Sequence, residues 1–225
     1  MSNIPQTYIS GKLLIAMPHM PDNRFKNTVI FIYNHDAAGA FGLILNKPLK
    51  KINLSELSKD LGIKGANDSQ YNVDIFLGGP MDITKGFVLH SNDFFEDGTK
   101  SITSDISLST NTNVLEKFSN EETPSHKMVL FGYAGWSAGQ LEQEIANNDW
   151  LIAGATKDFI FDIPDKNMWE FSGTEEFLFF WAPWAPLLRG YGSRVGRGGP
   201  APSSWWGRYP KSSYSWDYLE SIDDR

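Results

Sequence analysis

Short apolar runs separated by polar segments dominate the first half of the chain and predict a β-sheet. Each run is rich in β-branched or aromatic residues, and the segments between them contain the Pro, Gly, Asn and Asp residues that are typical of turns. The predicted strands are residues 11–17, 27–33, 41–46, 73–79, 86–90 and 127–134, with another around 101–107.

Helical spacing of apolar positions interrupts these strands. Residues 53–62 combine a capping Asn53 with Glu56 three positions later, and Gly62 ends the predicted helix. Strands and helices interleave irregularly, without a repeat or heptad period, which excludes solenoids and coiled coils. The other predicted helices lie near residues 111–119 and at 137–149, and apolar segments at 157–163 and 165–171 complete the pattern.

Composition places the chain among ordinary globular proteins. Its 225 residues are 41% hydrophobic and 14% aromatic, enough for one domain with a core. The absence of cysteine excludes disulfides, thiolate metal sites and a cysteine nucleophile. The N-terminal segment has no basic region followed by a long apolar stretch, and no apolar run is long enough to span a bilayer. We therefore expect a cytoplasmic location and no membrane association.

Charge argues against nucleic acid as a partner of the main part of the chain. The formal net charge is -7, and residues 1–174 hold 14 basic and 21 acidic residues, whereas residues 175–225 hold 6 of each. An acidic body repels phosphate backbones, and the close basic set Lys47, Lys50 and Lys51 is small. Direct DNA binding by residues 1–174 is therefore not expected.

The choice of basic residue changes at about residue 175. Before it the chain has thirteen Lys and one Arg, and after it one Lys, five Arg and five of the eight Trp. We therefore divide the chain into a domain at 1–174 and a Trp-, Arg-, Gly- and Pro-rich tail at 175–225. The tail has the composition of a poorly ordered segment, and the abrupt change suggests a frameshift or fusion. A natural tail of this kind would suit stacking on single-stranded nucleic acid.

Residues 135–139 match G-x-S-x-G, the pattern that places the nucleophile of a serine hydrolase between a strand and a helix. In α/β-hydrolases the triad histidine follows the serine, whereas all four histidines of this chain precede Ser137. That class is excluded. Triads in other folds tolerate other orders, so His90 with Asp82 or Asp93 stays open as an alternative partner of Ser137.

A helix cap explains the same residues better. Ser137 and Gln140 have the spacing of a capping box, in which the Ser137 hydroxyl accepts from the Gln140 amide and the Gln140 side chain accepts from the Ser137 amide. Leu141 and Ile145 would then face the core. Glu142 and Glu144 are two residues apart and predict a solvated helix surface, with Glu142 near the loops, rather than a paired-carboxylate site.

Gly78, Gly79 and Pro80 follow a predicted strand. Bare amides in such a turn could cradle an anion, although an ordinary strand-ending turn explains the two glycines more simply. The chain contains neither a P-loop nor a dinucleotide-binding fingerprint. An anion-binding turn is therefore a hypothesis for these residues.

His35 and His90 also follow apolar strands, where Asp22, Asp36 or Asp93 would complete a metal or proton-transfer pair. The histidines have none of the spacings that typically bind metal. We expect these two side chains to bond to backbone carbonyls, and we expect neither a metal nor another cofactor.

Five segments in this order resemble motifs of the YqgE/AlgH family of bacterial proteins. They are LLIAMPHMPD (13–22), GAFGLILNKPL (39–49), FLGGPM (76–81), GFVLHSND (86–93) and GYAGWSAGQLEQEI (132–145) with Trp150. The resemblance covers about residues 10–170 and implies an α+β fold in which a mixed β-sheet curls into a pseudo-barrel with flanking helices. Members of that family carry the name transcriptional regulator, and the resemblance implies a regulatory role but no catalytic residues. The segment after Trp169 does not resemble the family.

We therefore expect a non-enzymatic protein that binds a small anionic ligand or a protein partner, with the regulatory role that the resemblance implies. The alternatives are a serine-type hydrolase that uses Ser137 and a nucleic-acid-binding regulator. The residues expected to form the binding site are Gly78, Gly79, Pro80, Tyr133, Gly135, Trp136, Ser137, Gln140 and Glu142, with His35 and His90.

Overall fold

Ten strands form one sheet in the computed structural model, which describes residues 8–53, 72–111, 114–118, 123–163 and 165–174. The strands are β1 (Lys12–Ala16), β2 (Val29–Asp36), β3 (Gly39–Ile44), β4 (Pro48–Asn53), β5 (Asn72–Leu77), β6 (Met81–Ser91), β7 (Thr99–Ser101), β8 (Ile106–Ser109), β9 (Lys127–Ser137) and β10 (Trp150–Gly154). The helices within these ranges are α1 (Val114–Phe118), α2 (Gln140–Ala146), α3 (Lys157–Asp162) and α4 (Asp165–Phe171).

The sheet runs in the order β10-β1-β2-β3-β9-β6-β8-β7, with β4 and β5 attached through β5 to β9. Every pair is antiparallel except β5 with β9, so the sheet is mixed but mostly antiparallel. The predicted fold is confirmed in its coarser form, because the sheet curls into a half-barrel accompanied by a few short helices.

Both faces of the sheet are buried, which explains why the strands are continuous apolar runs rather than alternating ones. In β1, Leu13 and Ile15 belong to one hydrophobic cluster, whereas Leu14 and Ala16 belong to a second on the other face. Each side chain of Val, Leu, Ile or Phe that is fully removed from water contributes about 1.5–3 kcal/mol. The sheet therefore supplies most of the core.

The short helices cover the clusters on either face. Leu141 of α2 packs in the second cluster, beside Trp136 and Trp150. Phe159 of α3 and Met168 of α4 pack in the first cluster, and α1 supplies a third cluster with residues of β5, β6 and β9. Within the described part of the chain, no helix is long and apolar enough to cross a membrane.

Several predicted elements differ from the structure. The strand expected around 101–107 is the hairpin of β7 and β8, the strand expected to end at Ala134 continues to Ser137, and β4 and β10 were not predicted. The continuation to Ser137 has a clear cause, since β3 pairs with residues 134–137 of β9. The helix predicted at 53–62 lies outside the described residues except for Asn53, which ends β4, and the tail lies outside them entirely.

Candidate functional site

The turn between β9 and α2 brings several of the predicted residues together. Gly139 is the N-cap of α2 and has a left-handed backbone (φ 75°, ψ -8°), which glycine adopts without steric cost. Ser137 donates its backbone N–H to Oε1 of Gln140 at 3.0 Å. Leu141 is fully buried and anchors the helix to the sheet. The Gln140 side chain and the buried Leu141 therefore fix the conformation of the turn.

The capping box predicted for Ser137 and Gln140 is half correct. The Gln140 side chain accepts from the Ser137 amide as expected, but Gly139 is the N-cap and no side chain caps the helix. The Ser137 hydroxyl cannot take that role because Ser137 is still part of β9, paired with Gly39 of β3. The direction of the Ser137 side chain is therefore set by the strand and not by the helix.

Sheet register also separates Ser137 from His35. His35, Ala40 and Trp136 pair in register across β2, β3 and β9, so their side chains share one face of the sheet. Ser137 is the next residue and points to the opposite face. Among the described residues, no histidine ring is hydrogen-bonded to the Ser137 hydroxyl, and the His90 ring bonds to Ser91 and Ser109 instead.

His35 and Glu142 form a pair on the α2 side of the sheet. Nδ1 of His35 accepts the backbone N–H of Ile9 at 3.2 Å, so Nε2 carries the proton and donates to Oε1 of Glu142 at 3.2 Å. The His35 side chain is 2% exposed, and its ring meets the edge of Tyr8. The expected bond from this ring to a backbone carbonyl is wrong, because the ring links the N-terminal segment to α2.

Glu144 is the acceptor on which three donors converge. Its Oε2 accepts the indole N–H groups of Trp136 and Trp150, each at 2.8 Å, and its Oε1 accepts from Nε2 of Gln140 at 3.0 Å. The rings of Phe25, Trp136 and Trp150 pack together with centroids 5.9–6.4 Å apart. The prediction of a solvated Glu144 is therefore wrong. The signal that could have located it is the pair of buried indoles, whose N–H groups need an acceptor.

A cavity of about 310 Å³ lies beside this aromatic cluster. Its walls come from residues 20–25, from Pro80 and Met81, and from Gly135, Trp136 and Gln140 together with Glu144 and Asp149. Four of the predicted site residues therefore meet at one cavity. The N-terminal wall at 20–25 was not predicted, because it reaches the site only through the pairing of β1 with β10.

An ion pair forms the N-terminal wall of the cavity. Nε of Arg24 donates to Oδ1 of Asp22 at 3.1 Å, and an Nη of the same guanidinium donates to Oδ2 at 2.7 Å. This hydrogen bonding lowers the pKa of Asp22 and raises that of Arg24. The guanidinium also lies 5.6 Å from the centre of the Phe25 ring.

Gly78 and Gly79 serve close backbone packing. A Cβ on Gly79 would lie 2.0 Å from the carbonyl carbon of Tyr133, and one on Gly78 would lie 2.4 Å from the carbonyl oxygen of Gly132. The Gly78 N–H donates to the carbonyl of Phe131 at 2.7 Å. The hypothesis that Gly78 presents an unpaired amide to an anion is therefore wrong.

Tyr133 points away from the cavity, to the face of β9 opposite Trp136. Its ring lies 5.7 Å from that of Phe41 and 6.1 Å from that of Phe87. Burial, with a smaller contribution from Tyr133, raises the pKa of the nearby Tyr33 to about 12. These rings are part of the first core cluster and its rim rather than of the cavity.

His90 lies on β6, separated from β2 and His35 by two strands. It is fully buried, its Nδ1 donates to the Ser91 carbonyl at 2.9 Å, and its Nε2 accepts from the Ser109 hydroxyl at 3.0 Å. The expected bond to a backbone carbonyl is confirmed. Burial lowers the pKa of His90, and the Ser91 bond and the charge of Asp93 only partly offset this. Within the described ranges no three His, Asp or Glu residues are grouped to hold a metal.

Comparison with known proteins identifies the family. Residues 13–173 match the model of a family described as AlgH-like. The chain belongs to this AlgH-like family. A UPF0301 protein from Methylococcus capsulatus is 42% identical over 161 residues, which are 72% of this chain and 87% of the relative. A UPF0301 protein from Jannaschia is 42% identical over 164 residues, with 72% and 85% of the two chains covered.

Two solved structures resemble this AlgH-like chain. The solution structure of the AlgH protein from Pseudomonas aeruginosa matches with a TM-score of 0.61 and 30% identity, over 93% of this chain and 99% of that one. Protein DIP2367 from Corynebacterium diphtheriae matches with a TM-score of 0.57 and 21% identity, over 76% and 87% of the two chains, and so supports the fold alone. The family match includes every residue of the cavity, and residues 175–225 lie beyond it.

Proposed function

We propose that this AlgH-like protein is a non-enzymatic, cytoplasmic binding protein that recognises a small ligand or a protein partner at the cavity beside Trp136. The observation that carries the proposal is the fixed aromatic wall. Glu144 holds the indoles of Trp136 and Trp150 by 2.8 Å bonds, and Phe25 packs against both rings. A wall that is already ordered loses little entropy when a ligand binds.

The non-enzymatic part of the proposal rests on how the polar groups are used. Both ring nitrogens of His35 and of His90 are engaged within the fold, so neither is a free general base. A regulatory role would then consist of ligand-dependent contact with a partner protein. The acidic body, with 14 basic and 21 acidic residues in 1–174, does not favour DNA as that partner.

A ligand screen on the full-length protein tests the proposal. We expect at least one compound from a library of anions, cations and neutral fragments to raise the melting temperature in a thermal-shift assay, because binding to the native state alone stabilises it. Gln140→Ala should weaken binding of that compound by about tenfold, the effect of losing one hydrogen bond and part of a wall. Isothermal titration calorimetry measures the dissociation constants.

Gln143→Ala is the matched control. Both glutamines are exposed residues of α2, and each donates to a side chain four residues later, Gln140 to Glu144 at 3.0 Å and Gln143 to Asn147 at 3.1 Å. Only Gln140 lines the cavity. Equal weakening by the two variants, or the absence of any binding compound, would contradict the proposal.

A further inference from the structure

The charged groups that line the cavity leave it net negative. Asp22, Glu144 and Asp149 supply three carboxylates, whereas Arg24 supplies the only positive charge among the lining residues. The Arg24 guanidinium is already paired with the Asp22 carboxylate through two hydrogen bonds. A phosphate or carboxylate entering the cavity would therefore meet uncompensated negative charge, and a cation would be attracted.

The two remaining carboxylates differ in their capacity for a new partner. Glu144 already accepts three N–H groups, which fix the aromatic wall. The Asp149 side chain is only 14% exposed, and its carboxylate accepts no hydrogen bond from any residue that the structure describes. Nε2 of the exposed His19 lies 3.9 Å from Oδ1 of Asp149, which is too far for a hydrogen bond. A carboxylate that is open to solvent and has no hydrogen-bond donor can accept a charged N–H group.

The edge of β9 adds a backbone acceptor on the same wall. Pairing of β6 with β9 begins at Met81 and Tyr133, so Gly135, two residues further, has no strand from the described part of the chain beside it on that side. Ser137 donates to Gln140 on this side, and residues two apart in a strand point their backbone groups the same way. The Gly135 carbonyl therefore points away from β3, and Gly135 lines the cavity.

The apolar part of the cavity suits the stem and face of an organic cation. Met20, Phe25, Met81 and Trp136 line it, and a guanidinium or ammonium group is attracted to the face of an aromatic ring. The protein already shows this arrangement at the rim, where the Arg24 guanidinium lies 5.6 Å from the Phe25 ring centre.

We infer that the cavity binds a guanidinium or protonated amine on a short apolar stem, with Asp149 as the counter-ion and the Gly135 carbonyl as a second acceptor. This inference rests on the proposed binding function and names its ligand class. The cation is either a free small molecule or the side chain of an arginine or lysine in a partner protein.

Isothermal titration calorimetry with full-length protein at pH 8 and low salt tests the ligand class. The probes are agmatine, n-butylammonium, the neutral butyramide and inorganic phosphate. We expect agmatine and n-butylammonium to bind, and butyramide and phosphate not to bind. Asp149→Asn keeps the shape of the side chain and should weaken agmatine binding by about tenfold or more, the effect of removing one charged hydrogen-bond acceptor. Asp97→Asn, an exposed aspartate remote from the cavity, should bind agmatine as the wild type does.

A second pair of probes separates the two sources of the cation. A blocked Gly-Arg-Gly tripeptide that binds more tightly than agmatine identifies a partner protein, and the reverse order identifies a free small molecule. The matching Gly-Gln-Gly tripeptide should not bind. Agmatine binding that is equal in wild type and Asp149→Asn would overturn the inference.

The outcomes also separate this inference from the proposed function. Binding of phosphate or butyramide that depends on Gln140 would overturn the cationic ligand and leave the cavity as a binding site. Failure of these probes and of every library compound would overturn both. Chemical shifts of the Gly135 and Asp149 amides in labelled full-length protein confirm that each variant is folded and that a probe occupies this cavity.

Discussion

Three N–H groups end on Glu144, and this one residue orders the aromatic wall of the site. Because a carboxylate only accepts hydrogen bonds, Oε1 and Oε2 can serve Gln140, Trp136 and Trp150 together. An amide in the same place could accept both indole N–H groups through its oxygen, but its NH2 group would face the Nε2 donor of Gln140. The two indoles therefore require an acceptor at this position, and Gln140 requires the second acceptor oxygen.

Glu144→Ala should lower the free energy of unfolding by about 1–3 kcal/mol, because the buried indole N–H groups of Trp136 and Trp150 lose their acceptor. Gln143→Ala is the control, because it removes an exposed side chain of the same helix. Urea unfolding followed by circular dichroism measures both. A loss in Glu144→Ala no larger than that in Gln143→Ala would show that the wall does not depend on this acceptor.

Ser137→Ala should change stability by less than about 0.5 kcal/mol, as expected for an exposed side chain without a structural contact. Ser137 is exposed and points to the face of the sheet opposite His35. For the same reason, a fluorophosphonate probe should label neither the wild type nor the variant. Labelling of the wild type that disappears in Ser137→Ala would show that Ser137 acts as a nucleophile.

At the scale of elements, the sequence predicted the strands that are buried on both faces. Runs such as 27–33 could be predicted because both faces of β2 require apolar residues. β10 could not be predicted, since among the described strands it pairs with β1 alone and its five residues are buried only in part. The N-cap was also misplaced, because the pairing of β3 with β9, a long-range contact, keeps Ser137 in the strand.

The site was predicted only where it is local in sequence. Pro80, Gly135, Trp136 and Gln140 were found because glycine and cap signals mark the ends of strands. Asp22, Phe25 and Asp149 reach the cavity through tertiary pairing, in which the Met17 N–H donates to the Asp149 carbonyl at 2.9 Å and Ala16 pairs with Trp150. No local sequence pattern contains these long-range contacts. The sequence therefore suggested an anionic ligand, whereas the assembled cavity is lined by acidic residues.

The contact between β6 and β8 predicts a pH dependence of stability. Burial lowers the pKa of His90 below its ordinary 6.5, so the unfolded chain binds the proton more readily than the native one. The stabilisation is therefore complete above pH 6.5 and is lost as the pH falls below it. Urea unfolding at several pH values between 8 and 5 should show this fall.

His90→Gln should flatten that pH dependence, whereas His19→Gln, at an exposed position, should not. Nuclear magnetic resonance of the His90 ring gives an independent measurement if the variant folds poorly, and the ring should take up its proton at a pH below the ordinary 6.5. A His90 ring that is half protonated at or above pH 6.5, or an equal slope for His90→Gln and wild type, would contradict the prediction.

For the whole molecule, the AlgH-like region and the acidic region are the same part of the chain. The family match ends at residue 173, next to the boundary predicted at 174, and residues 1–174 carry the entire charge excess of seven acids. Long-range attraction by this region would therefore concentrate cations around it and weaken with added salt. The cavity and residues 1–174 therefore both carry a net negative charge.

The backbone of Gly78 and Gly79 contacts that of Gly132 and Tyr133 directly, and this contact limits which residues of the cavity can be substituted. The backbones touch there without any intervening side chain, since an added Cβ on Gly79 would overlap Tyr133 at 2.0 Å. Pro80, which lines the cavity, follows directly after this close backbone contact. A change of ligand preference therefore has to come from the opposite side of the cavity, where α2 and residues 20–25 present side chains that can be exchanged without moving the sheet.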